Sequence, residues 1–210
     1  MAGVDTTSAA ILWAMTELIN HPHVSKKLRV EIESVVGSSR LVRESDVPNL
    51  PYLQAVIKET LRIHPPGALL RRQCNQDCKL GGYDLKQGTK ILINTYAIMR
   101  DPKIWDEPDK YEPERFLKNN NSGDHQAFEQ MGTKGQDFRF LPFGSGRRAC
   151  IGQPHASIVL HATIGSLIQC FDWKVKDVEK IDVQVVKGYA GAVAHSLVCY
   201  PITHFDPFKA

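Results

Sequence analysis

The sequence predicts a mainly α fold with small β sheets, that is, an α+β class. Apolar residues recur at helical spacing in several long segments, and proline or glycine closes the first three of them. Short strand candidates separated by glycines lie between residues 67 and 95. The composition, with 42% hydrophobic and 23% charged residues in a chain of 210, is that of an ordinary globular protein and argues against disorder.

We expect one domain over residues 1–210. Its predicted elements, in chain order, are a helix at 1–20, a helix at 24–36, a loop at 38–50, a helix at 51–64, strands within 67–95, a short helix near 97–100, a proline- and charge-rich meander at 101–137, a loop at 138–152, a helix at 154–170 and a strand-rich tail at 171–210. The first helix starts without an N-cap, which predicts that it continues a longer helix upstream. Pro22 follows its end, Gly37 follows the second helix, and Pro51 opens the third at its first position.

Composition also limits the function classes. The net charge of +3 is too small to indicate a nucleic-acid partner. Five cysteines, an odd number without paired spacing, do not predict a disulfide framework. Cys74 and Cys78 form a CxxxC motif without a second pair, so zinc is not expected. No signal peptide precedes the first motif, and polar residues interrupt the apolar stretch at 154–171 below the ~20 residues that a bilayer span needs. We therefore expect no membrane anchor within the chain.

The segment from Phe143 to Gly152, FGSGRRACIG, places one cysteine, Cys150, in a glycine-rich loop before a predicted helix. Glycines allow tight turns and the close approach of a flat ligand. They also leave backbone N–H groups to point at a sulfur, which lowers the pKa of a thiol and favours the thiolate. A thiolate can be the axial ligand of haem iron. The alternative for a single cysteine is a buried structural role.

Two other motifs precede and follow the strand region. Glu59 and Arg62 are three residues apart on one face of the third predicted helix, and Arg115 follows in the meander as part of PERF, residues 113–116. In isolation such a pair is typical of a helix surface. Residues 2–7, AGVDTT, put small residues before an acid and hydroxyls, and a hydroxyl in mid-helix can compete for a backbone carbonyl. The alternative is a helix start with Asp5 or Thr6 as N-cap.

These motifs, in this order, resemble those of the cytochrome P-450 superfamily, and the resemblance extends over essentially the whole chain. It implies that the chain is the C-terminal haem-binding half of that fold, with haem b as the cofactor and Cys150 as the metal ligand. The haem-binding signature is matched at Phe143, Gly146, Arg148, Cys150, Gly152 and Ala156.

The resemblance further assigns roles to individual residues. Phe143 would shield the sulfur side of the haem, and Arg148 and Arg72 would pair with propionates; Arg71, beside Arg72, is the alternative. Asp5 and Thr6 would deliver protons. Glu59, Arg62 and Arg115 would form a buried network in which loss of one member costs ~3–5 kcal/mol. The positions that would line the substrate pocket are Ala2, Ala68, Leu69, Leu70 and Tyr189.

Individual segments, such as LPFGSGRR at 141–148, resemble those of plant microsomal A-type members. These members include flavone and isoflavone synthases, pterocarpan hydroxylases and triterpene hydroxylases. That implies a monooxygenase of the endoplasmic reticulum membrane, on its cytosolic face, acting on O2 and an apolar plant metabolite. Electrons would come from NADPH through a flavoprotein reductase, docked by basic residues such as Lys134 and Arg147. The residues at 185–191 lack the usual acidic lead-in of these relatives.

Two other readings stay open. The chain would be a truncated, catalytically inactive fragment of such an enzyme if the first half of the fold, with its anchor and most of the substrate roof, is required. A haem-thiolate enzyme that rearranges peroxides without a reductase is disfavoured by the Asp5-Thr6 pair, which such chemistry does not need.

Overall fold

Helix α3 is the most deeply buried element, and the other long helices pack around it. The computed structural model describes residues 2–117, 137–175, 181 and 197–207. Within these ranges the helices are α1 Ala2–Asn20, α2 Pro22–Val36, α3 Pro51–Ile63, α4 Thr95–Ile98 and α5 Gln153–Cys170. Every residue of α3 from Tyr52 to Ile63 is buried except Gln54 and Lys58, which are half-buried.

The sequence explains where these helices begin and end. Pro22 and Pro51 occupy the first turns of α2 and α3, where the missing N–H of proline costs nothing. Helix α2 buries a single stripe at intervals of four residues and ends at Gly37, whose φ of +76° is a backbone conformation that favours glycine. The amide of Gly37 donates to the carbonyl of Glu33. Helix α2 thus begins two residues before the predicted Val24.

Two apolar clusters hold the described part of the chain together. The larger cluster joins α1, α2, α3 and α5 and includes Leu18, Leu28, Leu53 and Ile164. The smaller cluster lies on the other side of α3 and consists of Ala55, Met99, Trp105, Phe116 and Phe140. Because Phe140 leads into the cysteine loop, this second cluster connects the loop and the meander to α3.

The strands in the described ranges form three antiparallel pairs. In the first, β1 (Leu69–Gln73) pairs with β4 (Lys90–Asn94), with Leu69 opposite Asn94. In the second, β2 (Cys78–Leu80) pairs with β3 (Tyr83–Leu85) around the two glycines at 81 and 82. In the third, β5 (Phe171–Val175) pairs with β6 (Cys199–Thr203). The predicted class, mainly α with small sheets, is confirmed.

Some elements differ locally from the prediction. The loop at 38–50 contains a 3-10 helix, Glu44–Asn49, and the meander contains another, Pro113–Phe116. Helix α4 starts at Thr95, two residues before the predicted Ala97, because the Asn94 side chain caps it by accepting the amide of Ala97 at 3.0 Å. Among the described residues, no helix combines the length and apolarity needed to cross a membrane.

A buried glutamine fixes the turn between α2 and the 3-10 helix. The side chain of Gln169 in α5 accepts the amide of Val42 at 3.1 Å and donates to the carbonyls of Arg40 at 2.8 Å and Gly37 at 3.3 Å. It is 2% exposed, so water cannot replace these bonds. One polar residue inside an apolar helix thus satisfies three backbone groups.

We predict that Gln169→Leu lowers the free energy of unfolding by about 3 kcal/mol, because buried backbone groups lose their partners. Urea titration followed by circular dichroism measures this loss. Gln54→Leu is the matched control, since Gln54 makes one bond, to the carbonyl of Val47 at 2.8 Å; it should cost about 1 kcal/mol. Equal losses in the two variants would contradict the role assigned to Gln169.

Candidate functional site

The cysteine loop is shaped by two glycines in left-handed conformations. Gly144 has φ +72° and Gly146 has φ +70°, and a 3-10 turn follows at Gly146–Arg148. The amide of Cys150 donates to the carbonyl of Phe143 at 2.9 Å, which closes the loop. The Cys150 amide thus holds the loop backbone together. It is therefore not one of the backbone N–H groups that we expected to point at the cysteine sulfur.

The loop presents its cysteine at the surface. Cys150 is exposed, and Ile151 beside it is 98% exposed. A Cβ added to Gly152 would lie 3.9 Å from the Cys150 sulfur, in ordinary van der Waals contact with it. The structure thus excludes the alternative of a buried structural cysteine and leaves the sulfur open to a ligand.

Strand β1 lies against this loop and carries the predicted arginine. A Cβ on Gly144 would lie 3.3 Å from Leu70 Cδ1 and 3.9 Å from Arg72 Nη2, so these side chains face the loop. Arg72 Nη2 is also 3.5 Å from the carbonyl oxygen of Arg148. Because side chains alternate along a strand, Leu69 and Arg71 face the other way and are exposed. The geometry therefore favours Arg72 over Arg71 as the neighbour of the loop.

The same alternation separates the predicted pocket residues. Leu70 faces the cysteine loop, Leu69 lies on the opposite face of β1, and the carbonyl of Ala68 accepts bonds from Thr95 at 2.9 Å and from Tyr96 at 3.3 Å. Leu70 is thus on the face of β1 that meets the loop and Leu69 on the other face, and the assignment of Ala68, Leu69 and Leu70 to the substrate pocket stays a prediction. Tyr189, Lys134 and the side chain of Ala2 lie outside the described residues.

Phe143 and Ala156 lie where the loop meets helix α5. Phe143 is half-buried and packs against the larger apolar cluster. Together with Leu61, Leu160 and His161 it lines a cavity of about 190 Å³ between α3 and α5. The half-buried Ala156 donates its amide to the carbonyl of Gly152 at 2.9 Å, within the first turn of α5. The loop is therefore anchored at both of its ends.

Behind the loop, the structure brings Glu59, Arg62 and Arg115 together. Arg62 donates to both Glu59 oxygens, at 2.7 and 2.9 Å, and Arg115 donates to Oε1 at 2.9 Å. Glu59 and Arg62 are 0% exposed and Arg115 is 9% exposed. The amide of Glu112 also donates to Glu59 at 2.9 Å. This carboxylate is compensated on both oxygens, which a buried charge requires.

The remaining guanidinium protons bind the meander. Arg62 donates to the carbonyls of Met99 at 2.9 Å and Pro108 at 2.8 Å, and Arg115 donates to that of Asp106 at 3.0 Å. The backbone of Met99 is thus held by Arg62, while its sulfur lies 3.4 Å from the amide of Leu141. The contacts run without a gap from Glu59 to the start of the cysteine loop.

Asp5 and Thr6 lie within α1 rather than at its start. The helix begins at Ala2, so neither residue is an N-cap, and both are exposed. Their catalytic role stays a prediction.

A second buried carboxylate, which the sequence reasoning missed, ties α1 to α3. Glu17 accepts a bond from His64 at 2.6 Å, and the His64 ring stacks on Trp13 with centroids 3.8 Å apart. The Glu17 backbone carbonyl lies 2.9 Å from His21 Nδ1. His64 follows the last residue of α3 and is buried. The available signal was one acid on the apolar face of α1, four residues after Trp13.

The charges of this cluster follow from its contacts. Burial by itself would raise the pKa of Glu17, but hydrogen bonds from His21 and His64 outweigh it and hold the pKa at about 2. Burial lowers the pKa of His64 despite the attraction of Glu17. We therefore describe the pair as a neutral imidazole that donates to an ionised carboxylate.

Comparison with known proteins places this site in a family. The family model for cytochrome P-450 matches residues 1–193, so the chain belongs to the cytochrome P-450 family. Beta-amyrin 24-hydroxylase of Glycine max is 47% identical over all of this chain and 40% of its own length. 2-Hydroxyisoflavanone synthase of Glycyrrhiza uralensis is 43% identical over 96% of this chain and 39% of its own length. The chain thus spans about two fifths of these relatives.

A solved structure supports the same assignment. A zebra fish cytochrome P-450 solved with abiraterone superposes with a TM-score of 0.82 at 33% identity, covering 97% of this chain and 45% of that one. Haem b is the cofactor of the family. The residues present fit it: the thiol of Cys150 is exposed, and the Arg72 guanidinium lies 3.5 Å from the backbone carbonyl oxygen of Arg148 in the same loop.

The Glu17 cluster predicts a pH dependence of stability. The Glu17 pKa is about 2 in the fold against an ordinary 4.5, so its contribution is complete above pH 4.5 and is lost as the pH falls toward 2. His64 acts in the same direction, because the unfolded chain takes up its proton more readily below pH 6.5. We predict that Glu17→Gln removes about 3 kcal/mol at pH 7 and flattens the acid limb of the stability curve.

Urea unfolding between pH 7 and pH 3 measures this effect. Glu44→Gln is the matched control, because Glu44 is an exposed acid, and it should keep the wild-type slope. A Glu17→Gln variant that loses stability with acid as steeply as the wild type would show that this carboxylate is not the sensor.

Proposed function

We propose that this chain is the haem-binding part of a monooxygenase in which the Cys150 thiolate ligates haem iron. The observation that carries the proposal is an exposed thiol on a backbone-anchored loop, with the Arg72 guanidinium 3.5 Å from the Arg148 carbonyl beside it. When bound, haem supplies dioxygen activation at an iron whose thiolate ligand donates electron density. The protein contributes ligation, orientation and proton delivery.

Individual residues would then act as follows. Arg72 and Arg148 would hold the propionates, since a guanidinium matches a carboxylate in shape and charge. Gly152 and Ala156 would keep the sulfur side clear, and Phe143 would close it from the core. The Glu59–Arg62–Arg115 network would keep the loop in place without touching the reacting atoms.

Asp5 and Thr6 would supply protons on the oxygen side. Thr6 would hold a proton at its hydroxyl, and Asp5 would exchange protons with solvent, to which it is exposed. This assignment depends on the position of the segment AGVDTT in α1, because Asp5 and Thr6 are consecutive residues near the first turn of that helix.

The substrate and the partner are inferred from relatives and surface chemistry. The similarity to a beta-amyrin hydroxylase and an isoflavanone synthase favours an apolar triterpenoid or flavonoid. Exposed Arg147 next to Ile151 gives the loop a basic and apolar surface, which suits an acidic flavoprotein reductase fed by NADPH. The full-length protein would work at the cytosolic face of the endoplasmic reticulum membrane.

A second candidate is that the 210-residue chain by itself is inactive. The observation in its favour is coverage, because the chain spans only 40% of the beta-amyrin hydroxylase and 45% of the zebra fish structure. Helix α1 with Asp5 and Thr6 would then need the rest of the fold to complete the pocket.

Haem titration tests both candidates. We predict that the full-length protein takes up haem and, once reduced and exposed to carbon monoxide, shows the Soret band of thiolate ligation. Cys150→Ala should abolish that band, whereas the matched control Cys199→Ala, which changes a half-buried cysteine in β6, should keep it. A thiolate-type band that survives Cys150→Ala would contradict the assignment. The 210-residue chain, titrated in parallel, separates an active fragment from an inert one.

A further inference from the structure

Cys74 and Cys78 form a second thiol site, separate from the cysteine loop. Their sulfur atoms are 3.9 Å apart. Cys78 is exposed and Cys74 is half-buried, so a small reagent can reach the pair. Neither residue is among those assigned to the haem site.

Backbone pairing, rather than chance side-chain contact, brings the two thiols together. Cys74 directly follows β1, and its amide donates to the carbonyl of Thr89 at 3.0 Å while its carbonyl accepts from Gly88 at 2.8 Å. Cys78 opens β2 and lies opposite Leu85. The thiols therefore span the junction between two hairpins, and each is fixed by its own hairpin.

Asp77 fastens the turn between the two cysteines. Its side chain accepts the amide of Gln87 at 2.9 Å and the ammonium group of Lys86 at 2.8 Å. The turn at 74–78 is thus held against residues 86–89, which connect β3 to β4. The short distance between the sulfurs follows from this framework.

The chemistry that fits this site involves the two sulfur atoms and no metal ion. Among the described residues, no group of three His, Cys, Asp or Glu side chains could hold a metal ion, so the pair lacks further ligands. A disulfide requires an S–S distance of about 2.05 Å, which is about 2 Å closer than the observed contact. Rotation of two side chains on adjoining short segments can supply that approach.

We propose that Cys74 and Cys78 are a reversible dithiol–disulfide site that hydrogen peroxide oxidises. The Cys78 sulfur attacks one peroxide oxygen, the O–O bond breaks, and one water leaves, which gives a sulfenic acid on Cys78. The Cys74 sulfur then displaces the remaining oxygen as a second water, and the S–S bond forms. Two thiols lose two electrons and two protons, and one peroxide is reduced to two waters.

The order of the two cysteines follows from their surroundings. Cys78 meets the peroxide because it is the exposed member. Burial and the interaction with the neighbouring Cys78 sulfur raise the pKa of Cys74, which makes Cys74 the poorer first nucleophile. It is nevertheless placed to attack once its neighbour is oxidised.

One tryptic peptide tests the proposal on the intact chain. Cleavage after Arg72 and Lys79 releases residues 73–79, which contain both thiols and none of the other cysteines. The reduced protein is treated with hydrogen peroxide, alkylated and digested with trypsin, and the mass of the peptide is measured by mass spectrometry. We expect this peptide to resist alkylation and to be lighter by two hydrogen atoms, and to recover both alkyl groups after dithiothreitol.

Single variants separate the two roles. Cys74→Ser should leave Cys78 as a sulfenic acid that dimedone traps, and Cys78→Ser should lower the peroxide reactivity of the peptide about tenfold. Cys199→Ser is the matched control and should behave as the wild type. Two freely alkylated thiols after peroxide treatment, or a disulfide that links two chains instead, would overturn the proposal.

A measurement without an oxidant checks the proximity of the thiols. Phenylarsine oxide bridges two neighbouring thiols, so the wild type and Cys199→Ser should each retain one arsenic per chain in the peptide at 73–79. Neither Cys74→Ser nor Cys78→Ser should retain it there. Absence of arsenic from the wild-type peptide would contradict the geometry on which the site depends.

Discussion

The buried carboxylate of Glu59, held between two guanidinium groups, is the interaction on which the rest of the structure depends. A buried ion is stable only if every oxygen and N–H finds a partner. Here Arg62 and Arg115 compensate the charge, and their remaining protons go to carbonyls such as those of Pro108 and Asp106. Because the acceptors belong to the meander, an irregular segment acquires one fixed path. The network therefore determines the path of the meander as well as holding it against α3.

Two buried carboxylates connect α3 to different parts of the structure. Glu59 connects this helix to the meander, and through Met99 and Leu141 to the cysteine loop. Glu17 connects α1 to the end of the same helix through His64, two residues after Arg62. Helix α1 carries Asp5 and Thr6, and the cysteine loop carries Cys150. Both are thus held in position by contacts that lead to α3. Such a rigid frame is what a site needs if a cofactor and a proton donor must be positioned together.

Much of this could be predicted from sequence, because it is local. Periodicity and proline positions predicted the long helices, and the glycines at 81 and 82 predicted the β2–β3 turn. The pairing of Glu59 with Arg62 is a matter of helical spacing, but that of Arg115 with both came from family resemblance. Sequence spacing by itself does not bring residues 59 and 115 together.

What the sequence missed depends on tertiary contact or on strand orientation. The Glu17–His64 pair joins residues 47 positions apart, and sequence spacing does not bring them together. That Leu70 and not Leu69 faces the cysteine loop follows from strand alternation once the bounds of β1 are known. The proximity of Cys74 and Cys78 depends on how two hairpins adjoin. A CxxxC motif without further ligands predicts only that zinc is absent.

The central claim is that Glu59 holds the cysteine loop in place through the meander. Hydrogen exchange in Glu59→Gln tests it most directly, followed at the amides of Glu112, Gly144 and Cys150, each of which has a defined acceptor. The account predicts that all three exchange faster than in the wild type, and by a larger factor than buried α2 amides such as that of Leu28. Wild-type exchange at Gly144 and Cys150, alongside a released Glu112 amide, would contradict it.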